Sequence, residues 1–510
     1  MQALSGDISG SNAAPVSGYN VARRAATSVV ATGGRHLFAL AVGIIIARGL
    51  GPDRFGTFSF LLTGFASLHV ILDMGASQAF YTLICRDMRS RRFFALYGAW
   101  IGAQIVIPAA AIFLILPQAW LDEVWRGEPR ALVLLALAAS FSQRVLWQTM
   151  IQICEAKRHT AYVQIGTMAI QALHLGVVWA LHESNLLTVP LLFGVIIGEF
   201  AAASIVVLVQ TRRSWSAPPA HEGVRSVLHE FVTYSGPLAV PTLLSALAAY
   251  IDTWMLQRFG GREQQAYYGI AFQYANLAVL FGMSVSNVFW KELAAAHVRG
   301  DDARLQQIYT NGTRILFVTS GFITGFFVYW STPTVVLLVG PAYAHAGPVF
   351  SLALLNSMFA CYGVVVGAAF LATGKTRLWS IFGTSCAVAG MPISVILLWW
   401  FRLGAVGLSA KMLILSAVFQ LIYDFAICRL NGWRTDNAFR FAVGAYFLIA
   451  GGITHGLIGW LLAGASVPHQ ITVAGLAYGL LVSAGGLFFV YRYGHQSVLF
   501  GRDDRVGSAR

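Results

Sequence analysis

Five ionisable side chains fall inside long apolar runs: Arg35, Arg144, Lys411, Glu199 and Asp252. On insertion scales a charge at mid-membrane costs about 2.5–3.5 kcal/mol or more, so each needs a purpose. The chemistry open to them is electrostatic. A guanidinium stays protonated and can hold an oxyanion through two parallel hydrogen bonds. Arg35 is twelve residues from Arg23 and thirteen from Arg48, too far to reach either face of its run easily. For Arg144 and Glu199 two readings stand. Either Arg144 is a second anion ligand and Glu199 a proton carrier, or the two form an internal brace, which we favour. Asp252 and Lys411 offer the same choice: a buried pair, or a coupling ion at Asp252 and an anionic cargo group at Lys411. Arg48, Arg54, Arg258 and Arg262 lie beside apolar runs rather than within them, as gate or solvated loop charges. Asp73 suits a helix-end contact. No His/Cys cluster has metal-ligand spacing, no Walker A glycine loop is present, and the five cysteines read as free thiols. No metal or cofactor is expected, and no enzymatic activity.

The elements that must position these groups are membrane helices. The 510 residues are 57% hydrophobic and 11% charged, with a mean hydropathy of +0.67. A soluble domain is about a quarter charged, so a soluble enzyme, a disordered chain and a secreted disulfide scaffold are excluded. About 20 apolar residues cross a bilayer. Fourteen segments qualify: 25–47, 55–77, 93–116, 131–153, 161–181, 186–208, 238–257, 266–289, 312–331, 349–371, 378–400, 404–428, 439–462 and 471–491. The runs are continuous rather than alternating, which argues against a barrel. The first residues are polar and small, so no cleavable signal peptide is expected. With the N-terminus inside, 24 of the 34 Lys and Arg fall in inner segments, 7 in outer loops and 3 within spans. The positive-inside rule then holds for the whole series and places both termini in the cytoplasm. The net charge of +13 is thus a topology signal, and nucleic acid is not an expected partner.

The longest polar break, 209–237, divides six spans from the rest. Weak self-similarity crosses it: Ala47-Arg-Gly-Leu-Gly51-Pro-Asp-Arg matches Gln257-Arg-Phe-Gly-Gly261-Arg-Glu, and Glu155-Ala-Lys-Arg matches Thr373-Gly-Lys-Thr-Arg. Six spans is an even number, so the repeats would be parallel, related by an axis along the membrane normal. The expected organisation is a cytoplasmic tail at 1–24, a first lobe at 25–208, a linker at 209–237, a second lobe at 238–428, two accessory spans within 429–491 and a cytoplasmic tail at 492–510. Gly-xxx-Gly pairs at 98/102, 321/325, 363/367, 452/456 and 475/479 suggest close helix packing. Pro108, Pro190, Pro241 and Pro392 suggest bends.

The block Val42-Gly-Ile-Ile-Ile-Ala-Arg-Gly-Leu-Gly-Pro-Asp-Arg-Phe-Gly-Thr-Phe-Ser-Phe60, followed by Leu72-Asp-Met-Gly75, closely resembles the opening of Wzx-type oligosaccharide flippases of the MOP superfamily. Tyr234-Ser-Gly-Pro237, Ala249-Tyr-Ile-Asp252 before Phe259-Gly260, Gly340-Pro-Ala-Tyr343 and Thr373-Gly-Lys375 agree with it, over about 22–435. The resemblance implies an all-α polytopic protein with two six-helix lobes around a central cavity and two extra C-terminal helices. It implies alternating access in a bacterial inner membrane, moving an undecaprenyl-pyrophosphate-linked oligosaccharide of exopolysaccharide, capsule or O-antigen type. Membrane lipids, a polymerase and export machinery are the implied neighbours. Arg35, Arg144 and Lys411 then become candidate ligands of the pyrophosphate or of acidic sugars. Trp147, Tyr250, Trp254, Phe272, Tyr274 and Trp290 could stack on sugar rings, while His69, His174 and His455 read as packed. Energy would come from an ion gradient, the membrane potential or consumption of product. A lipid II flippase or a multidrug-cation exporter of the same fold are alternatives, the latter disfavoured by three buried cations. A membrane polymerase or ligase is less favoured because the outer loops are short and 332–348 is uncharged.

Overall fold

A computed structural model of the protein describes residues 18–86, 89–157, 159–211 and 223–493. The two tails and the middle of the 209–237 linker lie largely outside these. Sixteen helices follow in order, and no strand occurs among the described residues. They are α1 Gly18–Asp73, α2 Ala76–Arg86, α3 Arg91–Ala110, α4 Gln118–Trp125, α5 Arg130–Phe141, α6 Trp147–Ala156, α7 Thr160–Glu183 and α8 Val189–Thr211. Then come α9 Val224–Val298, α10 Asp302–Phe327, α11 Ser331–Val339, α12 Ala346–Ala372, α13 Thr376–Ser394, α14 Gly404–Asn431, α15 Asn437–Leu461 and α16 Val467–Tyr493. Short π-helical turns extend α3 and α13 and join α5 to α6.

Among the described residues eleven helical stretches are long and apolar enough to cross a membrane, or twelve if α10 and α11, bent by 79°, form one broken span. Two of the eleven, Gly33–Asp73 and Ala239–Leu280, have 41 and 42 residues. At 1.5 Å per residue each runs to about 60 Å, twice the hydrocarbon thickness. Gly51 (φ 72°, ψ 172°) breaks α1 and Gly261 (φ 86°, ψ −178°) breaks α9. Glycine adopts positive φ without a Cβ penalty, and Pro52, lacking an N–H, suits the first position of the next arm. Arg35 and Ser67, sixteen residues either side of Gly51, line one cavity, so the arms of α1 run side by side. Counting two crossings in α1 and two in α9, with the bent pair, gives fourteen.

Two differences from the sequence reading concern the connections. The segment 332–348 is not a plain loop: it carries α11, which turns across the end of the bundle. The connection after the second span is α2, reached through a sharp turn at Met74 (φ 47°) and Gly75 (φ 82°). Asp73 caps it, accepting from the Ser77 amide at 3.1 Å and the Ser77 hydroxyl at 2.7 Å.

The two lobes meet along α1 and α9. The Gly51 and Gly261 breaks occupy matching places in the repeat, and eight residues beyond each stand Ser59 and Gly269. A Cβ on Gly269 would lie 2.8 Å from Ser59 Oγ. Equivalent residues that touch one another lie on the axis relating the repeats, so an approximate two-fold passes between them. Backbone also approaches backbone here, since a Cβ on Gly56 would overlap the Arg262 carbonyl.

The accessory helices α15 and α16 pack on α10 through an apolar cluster that includes Phe326, Phe447 and Tyr478, and α15 also makes a close backbone approach. A Cβ on Gly451 would overlap the Gly325 carbonyl, and one on Gly325 would meet the Phe447 carbonyl at 2.7 Å. Small residues at such crossings let membrane helices close, where no hydrophobic force drives them together. Gly451→Val should therefore loosen α15 from α10 while leaving the lobes assembled. The expected readout is faster proteolysis in the α15–α16 region, at Ala463–Ser466, with an intact fragment covering the preceding helices.

Candidate functional site

A cavity of about 1170 Å³ lies between the first lobe and the first arm of α9. Its lining comes from both arms of α1 and from α2, α3, the π-turn before α6, and α6–α8, with Tyr234, Thr242, Ser245, Ala246 and Ala249 from α9. No lining residue comes from beyond Ala249. The chemistry of the cavity therefore belongs to one lobe and a single helix arm of the other.

Arg35 and Arg144, 109 residues apart in sequence, both face this cavity. Neither has a carboxylate partner among the described residues. Arg35 Nη2 lies 3.3 Å from His36 Nε2. Arg144 makes no hydrogen bond or ion pair there, and it stands in the π-helical turn Ser142–Leu146 that joins α5 to α6. A π-turn widens the helix locally, and such insertions recur at functional sites. Asp73 is the one carboxylate in the lining, and its oxygens are engaged by Ser77. The cavity is cationic, with two guanidiniums that have donors to spare.

The amides beside them were not singled out in the sequence. Gln78, Gln143, Gln148 and Gln171 line the cavity and make no hydrogen bond among the described residues. Each amide offers donors and an acceptor, the complement of a hydroxyl. The spacing Arg144, Gln148, Gln152 puts three polar residues on one helix face, a signal that was legible. Of the six aromatic side chains considered for stacking, Trp147 alone lines the cavity; Tyr97 and Tyr234 join it.

The remaining candidates lie elsewhere. Glu199 does not brace Arg144. Its carboxylate sits 2.7 Å from His174 Nδ1, closing a pair between α7 and α8 with both side chains 9% exposed. The helices bring Glu199 to the histidine at the packed α7–α8 face, while Arg144 turns into the open cavity. Lys411 does not reach the cavity. Its ammonium contacts Asp252 at 2.7 and 2.5 Å, and Ser394 donates to the same carboxylate at 2.5 Å. Both charges are buried inside the second lobe. A second buried cluster was missed. Asp424 on α14 accepts from Arg440 on α15 at 3.0 Å and from Tyr309 on α10 at 2.5 Å. His69 is buried in the lining with neither ring nitrogen bonded.

The cavity reaches the end of the bundle where α1 terminates, at Asp73, Ser77 and Gln78. The opposite end, beside Gly51 and Gly261, is tied shut. Arg48 donates to the Leu338 and Leu337 carbonyls, both at 2.7 Å, and the Tyr343 hydroxyl to the Ala47 carbonyl at 3.0 Å. Arg262 meets Glu128 at 2.8 Å and Asp53 at 3.4 Å, and Arg258 meets Glu123 at 3.3 Å. Arg54 stays exposed. Three of the four arginines expected at this mouth thus clasp the lobes together. A bulky side chain at Gly56 would wedge the same seam apart. Gly56→Leu combined with Arg48→Ala should shift the protein toward a state open at this end. Spin labels at Arg54 and Arg402, both exposed there, would report a longer distance; an unchanged distribution would show that the clasp does not hold the end closed.

The sequence profile of a family described as "Polysaccharide biosynthesis protein" matches residues 21–289, more than half the chain. The chain belongs to that family. No curated protein sequence matches this family member significantly. Among solved structures it is similar to the "Lipid II flippase MurJ, inward closed conformation", with a TM-score of 0.70 and 14% identity, covering 91% of this chain and 99% of that one. It is also similar to an inward-facing multidrug resistance MATE family transporter of the MOP superfamily, with a TM-score of 0.58 and 15% identity over 80% and 99% of the two chains. A MOP superfamily transporter from Pyrococcus furiosus Vc1, whose title speaks of a binding pocket of reverse polarity, gives a TM-score of 0.55 and 15% identity over 81% and 95%. At such identities these likenesses fix the fold: the family member has the two-lobed MOP architecture, with two further helices.

Proposed function

We propose that this protein is a flippase of the bacterial inner membrane, with both termini cytoplasmic, that moves a polyprenyl-pyrophosphate-linked oligosaccharide from the inner to the outer leaflet. The observation that carries the reading is the pair of guanidiniums, Arg35 and Arg144, with no carboxylate partner among the described residues, in a cavity whose one carboxylate is already engaged. A pyrophosphate supplies the missing anion. The free amides around it suit sugar hydroxyls, and membership of a polysaccharide biosynthesis family agrees with such cargo. In this orientation the cavity faces the cytoplasm and the Arg48 clasp closes the periplasmic side. Transport makes and breaks no bond; the protein offers a polar compartment that hydrocarbon denies the headgroup. The role of Asp252 and Lys411 is a structural pair in the second lobe. Glu199 with His174 remains the candidate for a coupling proton, being a buried acid beside a titratable partner.

Lipid II carries the same pyrophosphate, and the likeness to MurJ favours it as a second cargo. A cationic drug is disfavoured by the charge of the cavity. The test is reconstitution of the full chain in vesicles with a labelled undecaprenyl-pyrophosphate-linked saccharide on one face. Its appearance on the other face, with lipid II moved at least tenfold more slowly, supports the proposal. Preference for lipid II, or export of organic cations alone, would replace it.

A further inference from the structure

An amphiphilic cargo needs a dry place beside a wet one, and the wet cavity has such a neighbour. A second chamber of about 530 Å³ lies between α3 and the first arm of α9. It falls within the 300–1,000 Å³ range of ligand pockets. Leu96, Ala99, Trp100 and Ala103 form one wall, Leu228, Phe231, Val232 and Ala239 the other. Two of the polar groups that border it are occupied. The Ser235 hydroxyl donates to the Phe231 carbonyl at 2.6 Å, and Asp73 accepts from Ser77. Asp73 and Tyr97 line both chambers, so the two are contiguous. Tyr97 is fixed there by stacking on Phe80 at 3.8 Å between ring centroids. On the far side Trp100, Leu228 and Val232 lack protein cover, at 39%, 51% and 67% exposure.

We propose that this chamber between α3 and α9 holds the first isoprene units of the cargo's polyprenyl tail while the headgroup occupies the cationic cavity. Three observations carry it. The chamber is continuous with the headgroup cavity through Tyr97. Its walls are apolar, and the Ser235 hydroxyl and Asp73 carboxylate at its border are engaged. It lies four to fifteen residues from the starts of α3 and α9, about 6–22 Å along their axes, near the end of the bundle where the headgroup cavity opens. The tail then leaves the protein laterally, past Trp100 and Val232, without crossing a polar surface. The inference rests on the flippase reading, and adds where the tail is gripped.

The test uses the full chain in nanodiscs of phosphatidylethanolamine and phosphatidylglycerol, with radiolabelled undecaprenyl diphosphate as probe. A photoreactive benzoylphenylalanine replaces Ala103 in the chamber or Ser245 in the headgroup cavity. Both positions should capture the probe, and excess unlabelled undecaprenyl diphosphate should remove the signal from both. Capture at Ser245 with only phospholipid captured at Ala103 would overturn the tail site and leave the flippase reading standing. Capture at neither position would overturn both. A second variant, Ala103→Phe, fills the chamber from one wall. It should weaken retention of undecaprenyl diphosphate about tenfold while inorganic pyrophosphate still binds the cavity unchanged. Equal loss of both ligands, or loss of neither, overturns the tail site.

Discussion

Arg35→Ala should stop export of the glycan while the protein accumulates normally in the membrane. The guanidinium faces the cavity without a carboxylate partner, so its removal orphans no buried charge and leaves the bundle intact. What is lost is a charge-assisted contact to the cargo, worth about 1.5–3 kcal/mol, which is about 10- to 150-fold in affinity. Arg144→Ala should act in the same direction. Because both side chains would meet one pyrophosphate, the double variant should lose less than the product of the two. Arg35→Lys keeps the charge and gives up the planar fork, so it should fall between. The measurement is binding of undecaprenyl diphosphate to the purified protein, beside glycan export in cells. Full export by Arg35→Ala would end the assignment of the cavity as an anion site.

Lys411→Met should have the opposite signature, a loss of stability before any loss specific to cargo. The ammonium is enclosed with Asp252 and Ser394. Removing it leaves a carboxylate buried with one hydroxyl donor, and breaking such a pair from one side costs about 3–5 kcal/mol. The sign follows from which partner is stranded: Asp252 without its cation must stay charged in a dry place or take up a proton. Lys411→Met combined with Asp252→Leu removes both charges and should recover most of the loss. Thermal unfolding in detergent, followed by the monodisperse fraction remaining in solution, separates the cases. If Lys411→Met melts with the parent and loses cargo binding instead, Lys411 is a ligand after all, reached in another conformation.

The fold was legible because its signals add up along the chain. Apolar length, the side of each arginine and the six-span repeat all constrain the same count, and the breaks at Gly51 and Gly261 fall where the two motifs align. The charged site was legible only in part. That Arg35 and Arg144 lack an escape to either face could be read from spacing. That Glu199 meets His174 rather than Arg144 depends on how α7 and α8 rotate against each other; α7 carries a polar stripe of Gln164, Thr167, Gln171 and His174, but α8 is almost wholly apolar around Glu199 and carries no record of that angle. Asp424 escaped notice because it lies close to the end of its span, where a carboxylate is assumed to reach water; Arg440 from the next helix covers it instead. The glutamines escaped because a neutral amide adds little cost in an apolar run. The bend between α10 and α11 has no proline or glycine at its corner, and its uncharged sequence read as a loop.

The two lobes share an axis and do not share the work. The cationic cavity draws its charge and amides from the first lobe, whereas three pairs of charges within the second lobe and its accessory helices are spent on one another: Asp252 with Lys411, Asp424 with Arg440, and Arg314 with Asp436. On the proposed flippase function, one half reads the cargo and the other serves as the plate it rocks against. On that proposal, diversification of such a chain toward a new glycan needs changes in only one half. A chimera joining the first lobe and first α9 arm of one family member to the remainder of another would inherit its cargo preference from the first parent.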